Sequence, residues 1–189
     1  MKLANPAPVG LFGFALTTLL LSLVNAGLAP LPVLFPIIIP MAFCYGGLAQ
    51  LLAGLFELAK GNTFGMVAFV SYGAFWLSFA VFVKFFIGDV PAGQLGFTVG
   101  WYLIAWGLMT TAMLVGSFAA NKALIIIFAL LTPTFFLLGF GNLLGMTTLV
   151  TFGGYLGLAT AAAAFYLGAA DVINEAHGKE ILPVGAKAA

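Results

Sequence analysis

Six long apolar stretches separated by short breaks set the pattern of this chain, at about 8–27, 34–59, 64–87, 96–118, 123–144 and 148–170. Each is near the roughly 20 apolar residues a helix needs to cross a bilayer. The breaks carry turn residues: Ala29-Pro30-Leu31-Pro32, Lys60-Gly61-Asn62, Gly88-Asp89-Val90-Pro91, Asn121-Lys122 and Gly141-Asn142. A polar segment, 171–189, follows the last stretch and reads as an aqueous tail. The first stretch opens on Asn5-Pro6-Ala7-Pro8, where two prolines in a first turn cost no intrahelical bond and Asn5 is of a type that caps helices. It shows no small-residue cleavage pattern and reads as a retained span. The pattern predicts an all-α membrane protein with one transmembrane domain of six helices.

Composition agrees. Hydrophobic residues make up 63% of the chain and charged residues 6%, and mean hydropathy is +1.21. Soluble domains are about one quarter charged, so this chain lacks the polar surface to cover a water-facing globule. A net charge of +1 provides no basic field for nucleic acid, and none is expected as a partner. The lysines decide orientation: Lys2, Lys60, Lys122, Lys179 and Lys187 fall on one side of six spans and Lys84 near the other, which puts both termini in the cytoplasm. Trp76, Trp101 and Tyr102 are expected at the membrane interfaces, with Trp106 deeper.

Side-chain chemistry is sparse. The single cysteine, Cys44, excludes an intrachain disulfide and reads as a small packing residue. The single histidine, His177, lies in the tail. With no metal-ligand cluster, no phosphate-cradling loop and no nucleophile–base set, the chain reads as neither an enzyme nor a holder of a cofactor or metal. A conduit or a binding site remains. Polar residues inside the spans are costly in hydrocarbon unless they face protein or a water-filled path. Thr17, Thr18, Asn25, Gln50, Ser71, Thr111 and Asn142 are the candidate lining residues. Gln50 and Asn25 are the strongest, because serine and threonine can bond back to their own helix. Glu57 and Lys60 sit at the end of the second stretch, so a path with no buried ion pair and no deep titratable carboxylate is expected. Any proton coupling would then ride on the solute itself.

Helix interruptions refine the picture. Pro36, Pro40 and Pro133 fall in the second and fifth spans, where each frees a carbonyl. Most of the 24 glycines suit close helix packing. Gly13-Phe14-Ala15-Leu16-Thr17-Thr18 echoes Gly107-Leu108-Met109-Thr110-Thr111, and Ser71-Tyr72-Gly73 echoes Thr151-Phe152-Gly153, consistent with an inverted three-plus-three repeat. Counting from the starts of the odd-numbered spans puts Phe14, Tyr72 and Leu131 roughly seven or eight residues in, about 10–12 Å deep, with Gln50 level. These residues can form one constriction.

The opening Asn5-Pro6-Ala7-Pro8-Val9-Gly10-Leu11 resembles the signature of the acetate uptake transporters, also called succinate–acetate permeases. Tyr45-Gly46-Gly47-Leu48-Ala49-Gln50, Lys60-Gly61-Asn62-Thr63-Phe64-Gly65, Ser71-Tyr72-Gly73-Ala74-Phe75-Trp76, Gly141-Asn142, Asn174-Glu175 and Leu182-Pro183-Val184-Gly185 continue the match in family order. Val9 stands where leucine is commoner, and the Ala29–Pro40 connection is richer in proline than the family pattern. The resemblance implies six helices around a central pore in each protomer, a homohexamer, and passage of acetate and, less well, succinate. It implies a narrow point at Phe14, Tyr72 and Leu131. It also implies a bacterial inner-membrane location, a small carboxylate as the solute and lipid as the surroundings. The alternatives from the residues are a urea or amide channel, and a structural or sensory membrane protein without flux.

Overall fold

The computed structural model describes residues 4–185, so Lys2 and Lys187, two of the lysines used for orientation, lie outside it. Among the described residues, six helices are long and apolar enough to cross a membrane: α1 (Ala7–Asn25), α2 (Leu31–Ala59), α3 (Thr63–Asp89), α4 (Leu95–Ser117), α5 (Lys122–Leu143) and α6 (Thr147–His177).

The start of α1 differs slightly from expectation. Pro6 is the capping residue, and Asn5 stands one position earlier, where its Oδ1 accepts the Ala7 N–H at 3.3 Å. In α2, Pro36 and Pro40 each withhold an amide, and a π turn at Cys44–Ala49 follows before the α-helix resumes at Gln50. Gly13 lets α1 approach that turn closely, since a Cβ there would sit 2.6 Å from the Tyr45 carbonyl oxygen. Asn62 caps α3 by accepting the Gly65 N–H, and Asn121 caps α5 by accepting the Leu124 N–H. In contrast to α2, α5 runs unbroken through Pro133. Thr132 and Thr134 on either side of the proline donate to the Phe128 and Leu130 carbonyls, each at 2.8 Å.

Two boundaries move. Gly141 and Asn142 lie in the last turn of α5 and not in a break; the reversal comes at Gly145, whose φ is +64°. No breaker follows residue 170, so α6 continues to His177 and ends at Gly178, also at positive φ. Nor is the segment after it a free aqueous tail. Asn174 Oδ1 accepts the Ile181 and Leu182 amides, and its Nδ2 donates to the Leu182 carbonyl. Gly185 and Val184 offer their carbonyls to the Lys122 and Ala123 amides at the start of α5. Those first-turn donors have no acceptor within their own helix, so the strap completes them.

Each helix packs on the next and α6 closes on α1, so the six form a ring; the α3–α4 seam is the sparsest. Large apolar side chains such as Val33, Leu108, Val115 and Phe152 face outward, as a surrounding hydrocarbon requires. Cys44 joins them on the outside instead of packing in the core. Trp76, expected at an interface, is 2% exposed and packs edge-on to Phe75 and Phe79. Tyr102 is half-buried and donates to the Phe75 carbonyl at 2.8 Å, whereas Trp101 is exposed beside Phe97. Trp106 packs inward against Phe75 and Tyr72.

Candidate functional site

Two cavities lie inside the ring of helices. The larger, about 360 Å³, has Thr18, Asn25, Trp76, Tyr102 and Asn142 among its polar or amphipathic lining residues. The smaller, about 170 Å³, is lined by Gln50, Asn62, Tyr72, Asn121 and Asp171 among apolar residues. Phe14 and Leu131 line both, so the chambers meet at these two side chains. Tyr72 closes the same level from the small-chamber side, its ring centroid 5.7 Å from that of Phe14. Phe14 is seven residues from the start of α1, and Tyr72 and Leu131 are nine from the starts of α3 and α5. Helical rise brings all three to within about one turn of the same depth.

The junction is aromatic and tightly held. Tyr72 is stacked on Phe135 (6.5 Å, 10°) and also packs against Trp106 and Phe128. Its hydroxyl lies 2.9 Å from Thr110 Oγ1. Polar groups wait on both sides of this apolar neck. Gln50 Oε1, on a small-chamber residue, and Thr18 Oγ1 and Trp76 Nε1, on large-chamber residues, are buried with no hydrogen-bond partner. An unsatisfied buried polar atom is unfavourable by about 1–3 kcal/mol, so each is poised to gain from a polar solute within reach.

The structure sorts the sequence candidates. Thr18, Asn25 and Asn142 line the large chamber and Gln50 the small one. Thr17, Ser71 and Thr111 line neither. Thr17 is fully buried between helices, its Oγ1 3.5 Å from the Met41 carbonyl oxygen. Thr111 faces outward and bonds back to the Gly107 carbonyl at 2.8 Å. Of the opening motif, Pro8 and Gly10 are buried and Pro6 is half-buried. Asn5 accepts from Lys60 Nζ at 3.1 Å and reaches Asp171 Oδ2 with its Nδ2 at 3.5 Å, which ties α1, α2 and α6 together at one end of the bundle.

That end carries the charges Glu57 and Lys60 expected there, with a burial of Glu57 that the sequence does not mark. Glu57 is fully buried, accepts from Asn62 Nδ2 at 2.7 Å and pairs with Lys60 at 3.5 Å. Glu57 is thus a buried carboxylate in the last turn of α2, beneath the α3 cap, but its partner Lys60 is exposed and Glu57 lines neither chamber. Asp171 lines the small chamber because α6 continues past the expected span end. Its only sequence signal was an acidic residue abutting an apolar run. Trp76 was missed as a lining residue because its amphipathic ring suits an interface equally well. Among the described residues, no group of His, Cys, Asp and Glu is arranged to hold a metal ion.

A ring of six apolar helices enclosing two chambers that share Phe14 and Leu131 defines a multi-pass membrane protein with a hollow interior. The chain belongs to the GPR1/FUN34/yaaH family, whose profile matches residues 1–184. It is 44% identical over 187 residues to the succinate-acetate/proton symporter SatP of Escherichia coli K12, covering 97% of this chain and 96% of that protein. It is 39% identical to acetate permease A of Emericella nidulans over 97% of this chain and 66% of that one. The solved structure of the bacterial acetate channel SatP aligns with a TM-score of 0.90 at 44% identity, covering 97% of this chain and 100% of that one.

Proposed function

We propose that this protein carries acetate and, less readily, succinate or other small monocarboxylates across a membrane through a path inside each protomer. The solute passes from the large chamber through the neck of Phe14, Tyr72 and Leu131 into the small chamber. The observation that carries this reading is that Phe14 and Leu131 line both chambers. The 44% identity to a protein named as a succinate-acetate symporter, and the acetate permease among the relatives, support the solute class. They weigh against the urea or amide alternative. Physics sets what the path must do. A carboxylate entering an apolar neck loses hydration that no neighbouring cation restores. Unpaired donors on the large-chamber side, at Thr18 and Trp76, shorten the stretch over which that loss is felt.

The small chamber lies at the end where the odd-numbered helices begin, the side of Lys60 and Lys122. The positive-inside rule makes that side cytoplasmic, with both termini there. The family resemblance supports a bacterial inner-membrane location and a homohexamer. The test is uptake of labelled acetate into vesicles containing the purified protein. Saturable uptake competed by unlabelled acetate supports the reading. Absence of acetate uptake, or competition by urea or acetamide but not by acetate, overturns it.

A further inference from the structure

Thr110 lies on α4, is fully buried and lines neither chamber. Indeed, no residue of α4 lines the small chamber. Yet Thr110 holds the one polar atom of the neck. Its Oγ1 is 2.7 Å from the Trp106 carbonyl oxygen and 2.9 Å from the Tyr72 hydroxyl. A carbonyl oxygen can only accept, and a threonine has one hydroxyl proton, so that proton goes to Trp106. The Tyr72 hydroxyl is therefore the donor to Thr110. Two conclusions follow. Tyr72 cannot also donate to a carboxylate in the neck, and its ring is tethered at the hydroxyl end to the helix behind it. Phe14 and Leu131 have no polar atom by which to be held.

We propose that Thr110 is a positioning residue that sets the size selectivity of the path by tethering Tyr72 across the α3–α4 seam. This rests on the reading above that carboxylates pass the Phe14–Tyr72–Leu131 neck. The backbones of α3 and α4 meet at few points, so side chains bridge that seam: Tyr72 meets α4 through its ring against Trp106 and its hydroxyl on Thr110. Without the acceptor at position 110, the buried Tyr72 hydroxyl loses its partner and the ring turns to find another. Gln50 Oε1, on a residue lining the same chamber, is a buried acceptor with none of its own. A ring that turns no longer holds the neck at one width. Larger acids then gain on acetate.

The experiment compares labelled succinate and labelled acetate uptake in vesicles containing wild type, Thr110→Val, Thr110→Ser, Tyr72→Phe and the Thr110→Val/Tyr72→Phe double variant. Valine keeps the shape of threonine without the hydroxyl, and phenylalanine removes the tether from its other end. The succinate-to-acetate ratio is expected to rise by about threefold or more in Thr110→Val and in Tyr72→Phe, with no further rise in the double variant. Thr110→Ser, which keeps both bonds, is expected to restore the wild-type ratio. A purely structural role for Thr110 lowers the uptake of both acids together and leaves the ratio alone. Wild type that takes up acetate while Tyr72→Phe or Thr110→Val keeps the wild-type ratio overturns this inference and leaves the proposed function standing. Wild type that takes up neither acid overturns both.

Discussion

Phe14 and Tyr72 meet with ring centroids 5.7 Å apart and planes tilted by 59°, so α1 and α3 together build one wall of the junction between the chambers. Leu131 of α5 also borders both chambers at this level, and at 3% exposure it has little free space around it. On the proposed path the aperture depends on all three side chains, and shortening one is expected to open it.

Leu131→Ala is therefore expected to widen the neck and raise uptake of acids larger than acetate, while acetate flux is kept. Truncating a buried leucine commonly destabilises by about 2–5 kcal/mol, so thermal unfolding in detergent is measured alongside. Unchanged selectivity in a folded variant would count against the neck as the selective element.

Asp171 places a negative charge at the small chamber, on the proposed route of a carboxylate, with the Asn5 amide as its hydrogen-bond partner. Like charges repel, and the repulsion is strongest where water is scarce. Asp171→Asn should lower the KM for acetate by about threefold, the ~0.6 kcal/mol of a partly screened pair. A KM that rises would show that the carboxylate helps the solute instead.

Glu57 points at Asn62 and Lys60, and it lines neither chamber. Glu57→Gln is expected to leave the pH dependence of acetate uptake in place. It should lower stability by about 1–3 kcal/mol, because a buried charge-assisted contact is lost. Uptake measured across a pH series checks the first part and thermal melting the second. Loss of pH dependence on this single change would make Glu57 the proton carrier.

Asn174 fastens the strap after α6 through the Ile181 and Leu182 amides and the Leu182 carbonyl. Asn174→Ala should expose 178–185 to protease and lower the melting temperature, with acetate uptake retained. A strap as resistant as wild type would mean that the bonds from Gly185 and Val184 to the start of α5 hold it alone.

Hydropathy by itself determined the number of spanning helices and their approximate places, because a bilayer demands about 20 apolar residues wherever a chain crosses it. Depth along those helices was legible too, since a fixed rise per residue converts position into height; it allowed Phe14, Tyr72, Leu131 and Gln50 to lie level, and the family resemblance singled out the first three. Rotation about each helix axis was not. The turning of α4 sends Thr111 outward and Thr110 inward, and no spacing in so uniformly apolar a segment marks which neighbour is buried. Packing alone decided that Trp76 is interior, that Cys44 is on the outside and that Thr17 lies between helices. The same holds at the end of the bundle where α1, α3 and α5 begin. There the last turn of α2 buries Glu57 under Asn62, and the long α6 carries Asp171 to the chamber wall. Composition records how many polar groups a membrane protein has, but only the assembled helices decide which partners those groups meet.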